Sequence, residues 1–292
     1  MTLLPFKPMS PIATDKLPVG DEWIYQLKWD GYRLIAFAEA GQVALRSKNM
    51  LPLEGKFPEI AAACSRLPGT VVLDGEAVVL DPQTGKPDFQ RLQRRGRLRD
   101  AAQIERAIGT SPVLYIVFDV LQLDGSDLRR LPFEERNKRL RELSHSWASP
   151  LHLTDCFSDG HRLWGWVVEN GWEGVVCKRK SSLYKEGKTH RDWYKVKRVL
   201  EFEVDIAGIV WKNGRIAGLV MQRDGQDFGR VSSGLNEKMA RQLAAFGRPE
   251  RRLAWNLEEI CPLRVPLRAV VAGTGVTGDG LLRHPRLIRL SF

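Results

Sequence analysis

Apolar residues recur in short blocks along the first two thirds of the chain, and their spacing separates strands from helices. Glu22–Leu27, Leu34–Glu39, Val71–Leu80 and Leu114–Leu123 are runs rich in Val, Ile, Leu and aromatic residues, bounded by Asp-Gly or glycine turns, and they predict strands. Phe57–Arg66, Ala101–Ile108 and Pro132–Leu143 place apolar residues at helical intervals and predict helices, the last with proline at its start and mixed charge outside. After Lys197 the texture changes. Glu201–Trp211, Gly214–Arg223 and Gln226–Val231 read as successive strands joined by Asn213-Gly214 and Asp224-Gly225 hairpin turns. A helix over Lys238–Phe246 and strands over Val265–Ala272 and Leu281–Leu290 complete a small barrel of the OB type. The expected class is α+β, with mainly antiparallel sheets and flanking helices in 1–198 and an OB-fold β-barrel in 199–292.

With 292 residues and 43% apolar content, the chain can bury a core for one large domain and a small one. Its formal charge of +10 exceeds what solubility requires and points to a polyanionic partner. The basic clusters Arg91–Arg99 and Arg129–Arg141 fit that reading and fit solvated faces equally well. Cys64, Cys156, Cys177 and Cys261 form no CxxC pair and no metal-ligand spacing with histidine, so reduced thiols are expected. The N-terminal segment lacks the basic start and long apolar stretch of a signal peptide, and no apolar run is long enough to span a bilayer. These features predict a cytoplasmic protein with no membrane partner.

The segment richest in chemistry is KWDGYR, Lys28–Arg33, where a lysine follows a strand and precedes an Asp-Gly turn and an arginine. It is either a surface hairpin or a nucleophilic amine. A lysine attacks only as the free base, which nearby cations and desolvation favour. In WYKVKR, residues 193–198, Lys195 and Lys197 alternate on one strand face and can grip a phosphate together, or defend a sheet edge. In VLDGEAVV, Asp74 and Glu76 likewise share a face, and with Glu173 of WEGVVCK they are carboxylates for Mg²⁺ or a ribose hydroxyl; a strand-edge turn explains Asp74-Gly75 as well. Lys178, at the end of EGVVCK, is similarly open. Phe118 in YIVFDVLQLDG offers a flat surface to a purine, and equally a core side chain.

Taken in order, KWDGYR, VLDGE, YIVFDVLQLDG, EGVVCK and WYKVK resemble the motif series of the covalent nucleotidyltransferases, specifically bacterial ATP-dependent DNA ligases of the end-joining type. Softer signatures extend the likeness over nearly the whole chain: PMSPIATDKLPVGDEWIYQLKWDG, SKNMLPLEGKFPEI, DFQRLQRR and GKTHRDWYKVK. The resemblance implies a nucleotidyltransferase domain over 1–198 and an OB-fold domain over 199–292 that closes over the bound nucleotide. It implies that Lys28 attacks the α-phosphate of ATP, that AMP passes to a 5′-phosphate at a nick, and that the 3′-hydroxyl displaces it. By the same resemblance Phe118 stacks on adenine, Glu76 accepts the ribose hydroxyl, Arg33 holds ribose or the nick phosphate, and Lys195 and Lys197 bind the α-phosphate. Lys178 belongs to the nucleotide pocket, Glu173 holds the metal, and Asp30 and Asp74 assist with metal or the 3′-hydroxyl. The implied cofactors are ATP and Mg²⁺, with Mn²⁺ as a second candidate; the implied partners are nicked double-stranded DNA and the Ku end-binding protein, for a monomeric enzyme.

Three positions depart from the family pattern. Gln26 stands where a glutamate usually reads the adenine amino group, and its carbonyl can accept the same hydrogen bond. Lys48 stands where arginine is usual, keeping the charge without the bidentate fork. LLRHPRLIRLSF ends at Phe292 before the arginine-x-aspartate-lysine segment, with Ser291 at the arginine's place. A weakened first step is therefore expected unless Arg283, Arg286 or Arg289 takes over, whether the shortening is natural or not. The competing readings are an RNA ligase or capping guanylyltransferase, which FPEI and DFQRLQ argue against, and a nucleic-acid-binding adaptor that has lost catalysis.

Overall fold

The computed structural model describes residues 5–249 and 257–292, so the apolar start MTLL lies outside the described residues. The chain divides into two compact units, one ending at Lys197 and one running Arg198–Phe292. The first unit contains, in order, β1 Ser10–Ala13, β2 Trp23–Leu27, β3 Tyr32–Glu39, β4 Gln42–Ser47, α1 Pro58–Cys64, β5 Thr70–Val78, α2 Phe89–Arg97, α3 Ala101–Thr110 and β6 Leu114–Leu123. It continues with β7 Ser126–Asp127, α4 Phe133–Ser144, β8 Leu151–Leu153, α5 Gly160–Glu169, β9 Gly174–Arg179 and β10 Thr189–Lys197. The second contains β11 Leu200–Lys212, β12 Arg215–Arg223, β13 Gln226–Val231, α6 Glu237–Leu243, β14 Glu258–Gly273 and β15 Arg286–Leu290.

Two sheets make the first unit. One has the order β1-β10-β9-β2 and the other β4-β3-β5-β6-β7, with β8 beside β6. Alternation along β3 explains the layering: Leu34, Ala36 and Ala38 face a core shared with Phe57, Ile60 and Leu140, while Ile35 and Phe37 face Met9, Tyr184 and Trp193. A strand buried on both faces reads as an unbroken apolar run, as the sequence does there. The outer face of the first sheet buries Tyr25, Val175 and Cys177 against Leu163 and Val167 of α5. Asp88, Asp100 and Asp159 cap α2, α3 and α5 by accepting backbone N–H bonds, each worth about 1 kcal/mol.

Helix α2 occupies a run that composition alone presents only as a basic cluster; the Asp88 cap and the burial of Leu92 and Arg95 turn it into a helix. In the second unit, the strands follow the order β13-β12-β11-β14-β15. Asn213-Gly214 and Asp224-Gly225 all take positive φ, between 51° and 75°, as tight primed hairpin turns require. Strand β14 runs well beyond Val265–Ala272 because it pairs with β11 from Gly273 back to Glu258. Only Arg286–Leu290 of the predicted Leu281–Leu290 strand is extended: Leu281 accepts from the Thr277 N–H, and Leu282 bridges to Val276. The two edges of this sheet are linked by one isolated bridge, Ser233 to Arg286, so the described residues form no continuous closed barrel. No helix among the described residues is long and apolar enough to cross a membrane.

Candidate active site

The inner face of the first sheet carries the basic residues. Gln26 of β2 lies beside Val176 of β9, which lies beside Lys195 of β10; the Lys28 N–H continues the ladder to the Gly174 carbonyl, and Gly174 pairs with Lys197. Gly174 is required for this approach, because a Cβ there would lie 2.1 Å from the Val196 carbonyl oxygen. Glu173, one residue earlier, takes a lysine on each oxygen: Lys28 Nζ at 2.6 Å and Lys197 Nζ at 2.9 Å. Burial, together with the charges of Lys28, Lys197 and Lys48, lowers the pKa of Lys195 below the usual lysine value. Four lysine amines thus share one neighbourhood with Glu173, a concentration of positive charge suited to phosphate.

The second sheet supplies the rest. Arg33 of β3 sits opposite Glu76 of β5 and grips Asp74 with both Nε and Nη2, at 2.5 and 2.6 Å. Asp74 is fully buried and also accepts from the Tyr184 hydroxyl at 2.7 Å, so both its oxygens are engaged. Burial pushes the Glu76 carboxyl up to about 7, with Glu173 and Asp74 adding to the shift and Lys28 and Arg33 opposing it. Phe118 of β6 has the Arg33 guanidinium and the Lys178 amine each 4.5 Å from its ring centroid. Lys178 is buried; it donates to the Phe118 carbonyl at 3.0 Å and lies within 4.5 Å of the ring centroids of Phe133 and Trp193. That burial brings its pKa down to about 8, against the attraction of Asp119. Asp119 is itself held by Arg136 through two hydrogen bonds, at 2.8 and 2.9 Å, with both side chains fully buried.

A cavity opens between these groups. Gln26, Lys28, Arg33, Lys48, Glu76, Phe118, Lys178 and Lys195 all line it. Glu173 and Lys197 stand beside it through the Lys28 ion pair, and Asp74 behind Arg33. Asp30 follows the lining residue Trp29 and is not in the wall itself. Asp74, Glu76 and Glu173 do not make a three-ligand cluster: among the described residues no three acidic, histidine or cysteine side chains are placed to hold a metal together. All four cysteines are free. Cys156 accepts from Gln26 Nε2 at 3.2 Å, so this amide is directed at sulfur.

Several lining residues are not among the sequence-predicted site residues, notably Pro8, Ser10, Pro11 and Trp193. Pro8, Ser10 and Pro11 come from the N-terminal segment, whose only signal was its place in PMSPIATDK, and Trp193 comes from WYKVKR, where the lysines drew the attention. The assembled site offers amines to a polyphosphate, a flat ring to a base and a carboxylate to a hydroxyl.

Residues 7–197 match the family described as the ATP dependent DNA ligase domain. The chain is 34% identical over 232 residues to the bifunctional non-homologous end joining protein LigD of Bacillus subtilis, spanning 73% of this chain and 38% of that protein. It is 35% identical over 231 residues to the multifunctional non-homologous end joining DNA repair protein LigD of Mycobacterium tuberculosis, spanning 75% of this chain and 28% of that one. Among solved structures, a mycobacterial DNA ligase D complexed with ATP and MES is 31% identical, with a TM-score of 0.59 over 97% of this chain and 95% of the other. A Lig E DNA ligase, 16% identical with a TM-score of 0.69, shares the fold.

Proposed function

The chain belongs to the ATP-dependent DNA ligase domain family, and on that premise we propose that it seals 3′-hydroxyl/5′-phosphate nicks in DNA through AMP carried on Lys28. The observation that carries this reading is the gathering of Lys28, Lys48 and Lys195 with Phe118 and Glu76 around one cavity. The Lys28 amine attacks the α-phosphate and pyrophosphate leaves; the phosphoramidate then yields AMP to a 5′-phosphate, and the 3′-hydroxyl displaces AMP. Lys195 and Lys197 stabilise the charge that grows on phosphorus, and Lys48 adds to it. Phe118 supports the adenine, Glu76 accepts a ribose hydroxyl, Gln26 and Lys178 line the base end, and Arg33, fixed by Asp74, holds ribose or the nick phosphate. Asp30 assists the 3′-hydroxyl.

The donor set suits Mg²⁺ or Mn²⁺. Such ions are held by one or two carboxylates and completed by substrate phosphates and water. Glu173, with its carboxylate among the lysines, would hold the ion, with Glu76 as the second carboxylate; Asp74, engaged by Arg33 and Tyr184, is left out. A bound metal supplies neutralising charge at the phosphates.

We read the second unit as an OB-type module that adds to DNA binding. Its hairpin order and the Ser233–Arg286 bridge between its edge strands support this. The end-joining relatives favour a role in break repair, beside DNA in the cytoplasm and with a Ku-type end-binding partner for a monomeric ligase. The test is intact-mass analysis after incubation with ATP and Mg²⁺, then sealing of nicked DNA against RNA-containing nicks. One AMP gained by the wild type and none by Lys28→Ala, with DNA sealed, is the expected result. No adduct on protein first stripped of AMP, or preference for RNA, overturns the reading.

A further inference from the structure

Pro8, Ser10 and Pro11 line the cavity, but Met9 between them is turned inward and fully buried. Its peptide groups are held at both ends. The Met9 N–H donates to the Tyr184 hydroxyl at 3.1 Å, and the Met9 carbonyl accepts from Arg33 Nη2 at 3.1 Å. The Tyr184 hydroxyl donates onward to Asp74, and Asp74 binds Arg33, which closes a ring of four residues: Met9, Tyr184, Asp74, Arg33. Only a group that both accepts and donates can occupy the Tyr184 position in this ring. Burial, reinforced by Asp74, raises the Tyr184 pKa well above the usual phenol value, so the hydroxyl keeps its proton.

We propose that Tyr184 is a positioning residue that fixes the Pro8–Pro11 segment as a rigid wall of the nucleotide cavity; this rests on the reading that the cavity takes ATP. Proline restricts its own backbone, so two prolines on either side of a pinned peptide make a wall that holds its shape without the ligand. A preformed wall improves binding rather than the chemical step. The ring of Tyr184 also packs edge-on against Trp193 and Phe6, with centroids 5.7 and 6.2 Å apart. Tyr184→Phe keeps that packing and removes the hydroxyl alone.

The experiment compares the wild type with Tyr184→Phe in two measurements: backbone hydrogen exchange over Phe6–Ala13, and the ATP dependence of AMP addition to Lys28. We expect exchange at Met9 to accelerate and KM for ATP to rise, each by roughly five- to tenfold, the scale of one lost hydrogen bond, with kcat within about twofold. Unchanged exchange, or a fall in kcat at unchanged KM, overturns the proposal. A wild type that takes up no AMP overturns the reading of the cavity and this proposal with it, whatever the exchange shows. Should Tyr184→Phe fail to fold, Pro11→Gly loosens the wall from outside the buried ring: a raised KM with kcat preserved is expected, and an unchanged KM overturns the proposal.

Discussion

The Lys28 amine lies 2.6 Å from a carboxylate oxygen of Glu173. That contact ties up the amine proposed as the nucleophile. Attack on phosphorus therefore requires the amine to be released from the carboxylate as the triphosphate arrives. The same carboxylate holds Lys197 on its other oxygen, so one group sets two amines in place.

Replacing Glu173 with glutamine keeps the shape and removes the charge. AMP addition to Lys28 should slow by about 10²-fold or more, the scale of losing one main electrostatic contributor. The fold should also lose stability, on the order of 1–3 kcal/mol, since Glu173 is largely enclosed and its loss leaves two lysines without their carboxylate. Single-turnover labelling alongside a thermal melt checks both; labelling within a few fold of wild type would remove Glu173 from the mechanism.

Glu76 makes stability depend on pH. Its folded pKa of about 7 lies above the ordinary glutamate value, so the folded state binds more protons than the unfolded state between about 4.5 and 7. The stability this gives is fully present below about 4.5 and is lost as pH rises through 7. Glu76→Gln should therefore gain on the wild type across that window and hold its lead above it. Cavity water screens the group, so the plateau should be on the order of 1–2 kcal/mol. Chemical denaturation at pH 4.5 and pH 8 measures the difference, and equal gaps at both would refute the shift.

Lys178 predicts an exchange of function for stability. Its folded pKa of about 8 means that the folded state disfavours the ammonium below pH 8, a penalty that disappears as pH rises toward the ordinary lysine value. Lys178→Met should raise the melting temperature at pH 7 by a few degrees, corresponding to roughly 1–2 kcal/mol after the three aromatic rings are allowed for. It should also raise KM for ATP, because the cavity loses a cation. A variant less stable than wild type at pH 7 would show that the rings more than repay the burial.

Much of this molecule follows from local pattern. The strand over Leu114–Leu123 is bounded as the apolar run is, and the Asn213-Gly214 and Asp224-Gly225 turns take the conformations that glycine there allows. Alternation likewise puts Lys195 and Lys197 on one face of β10, because a strand's side-chain period is two wherever the strand lies. Those rules act over a few residues. Lys28 and Glu173 are 145 residues apart, Asp74 and Tyr184 are 110 apart, and Met9 and Tyr184 are 175 apart; which of them meet depends on sheet order and register. Asp74 looks like a metal carboxylate in VLDGE, and only the pairing of β3 with β5 and the packing of the β9–β10 connection against that sheet give it to Arg33 and Tyr184 instead. Lys178 looks like a surface charge at a strand end until Phe118, Phe133 and Trp193, from three other elements, enclose it. The sequence by itself determined the elements, their faces and the chemical inventory of the site. Pairing, burial and charge state were decided by the tertiary structure, because each depends on neighbours that local sequence does not specify.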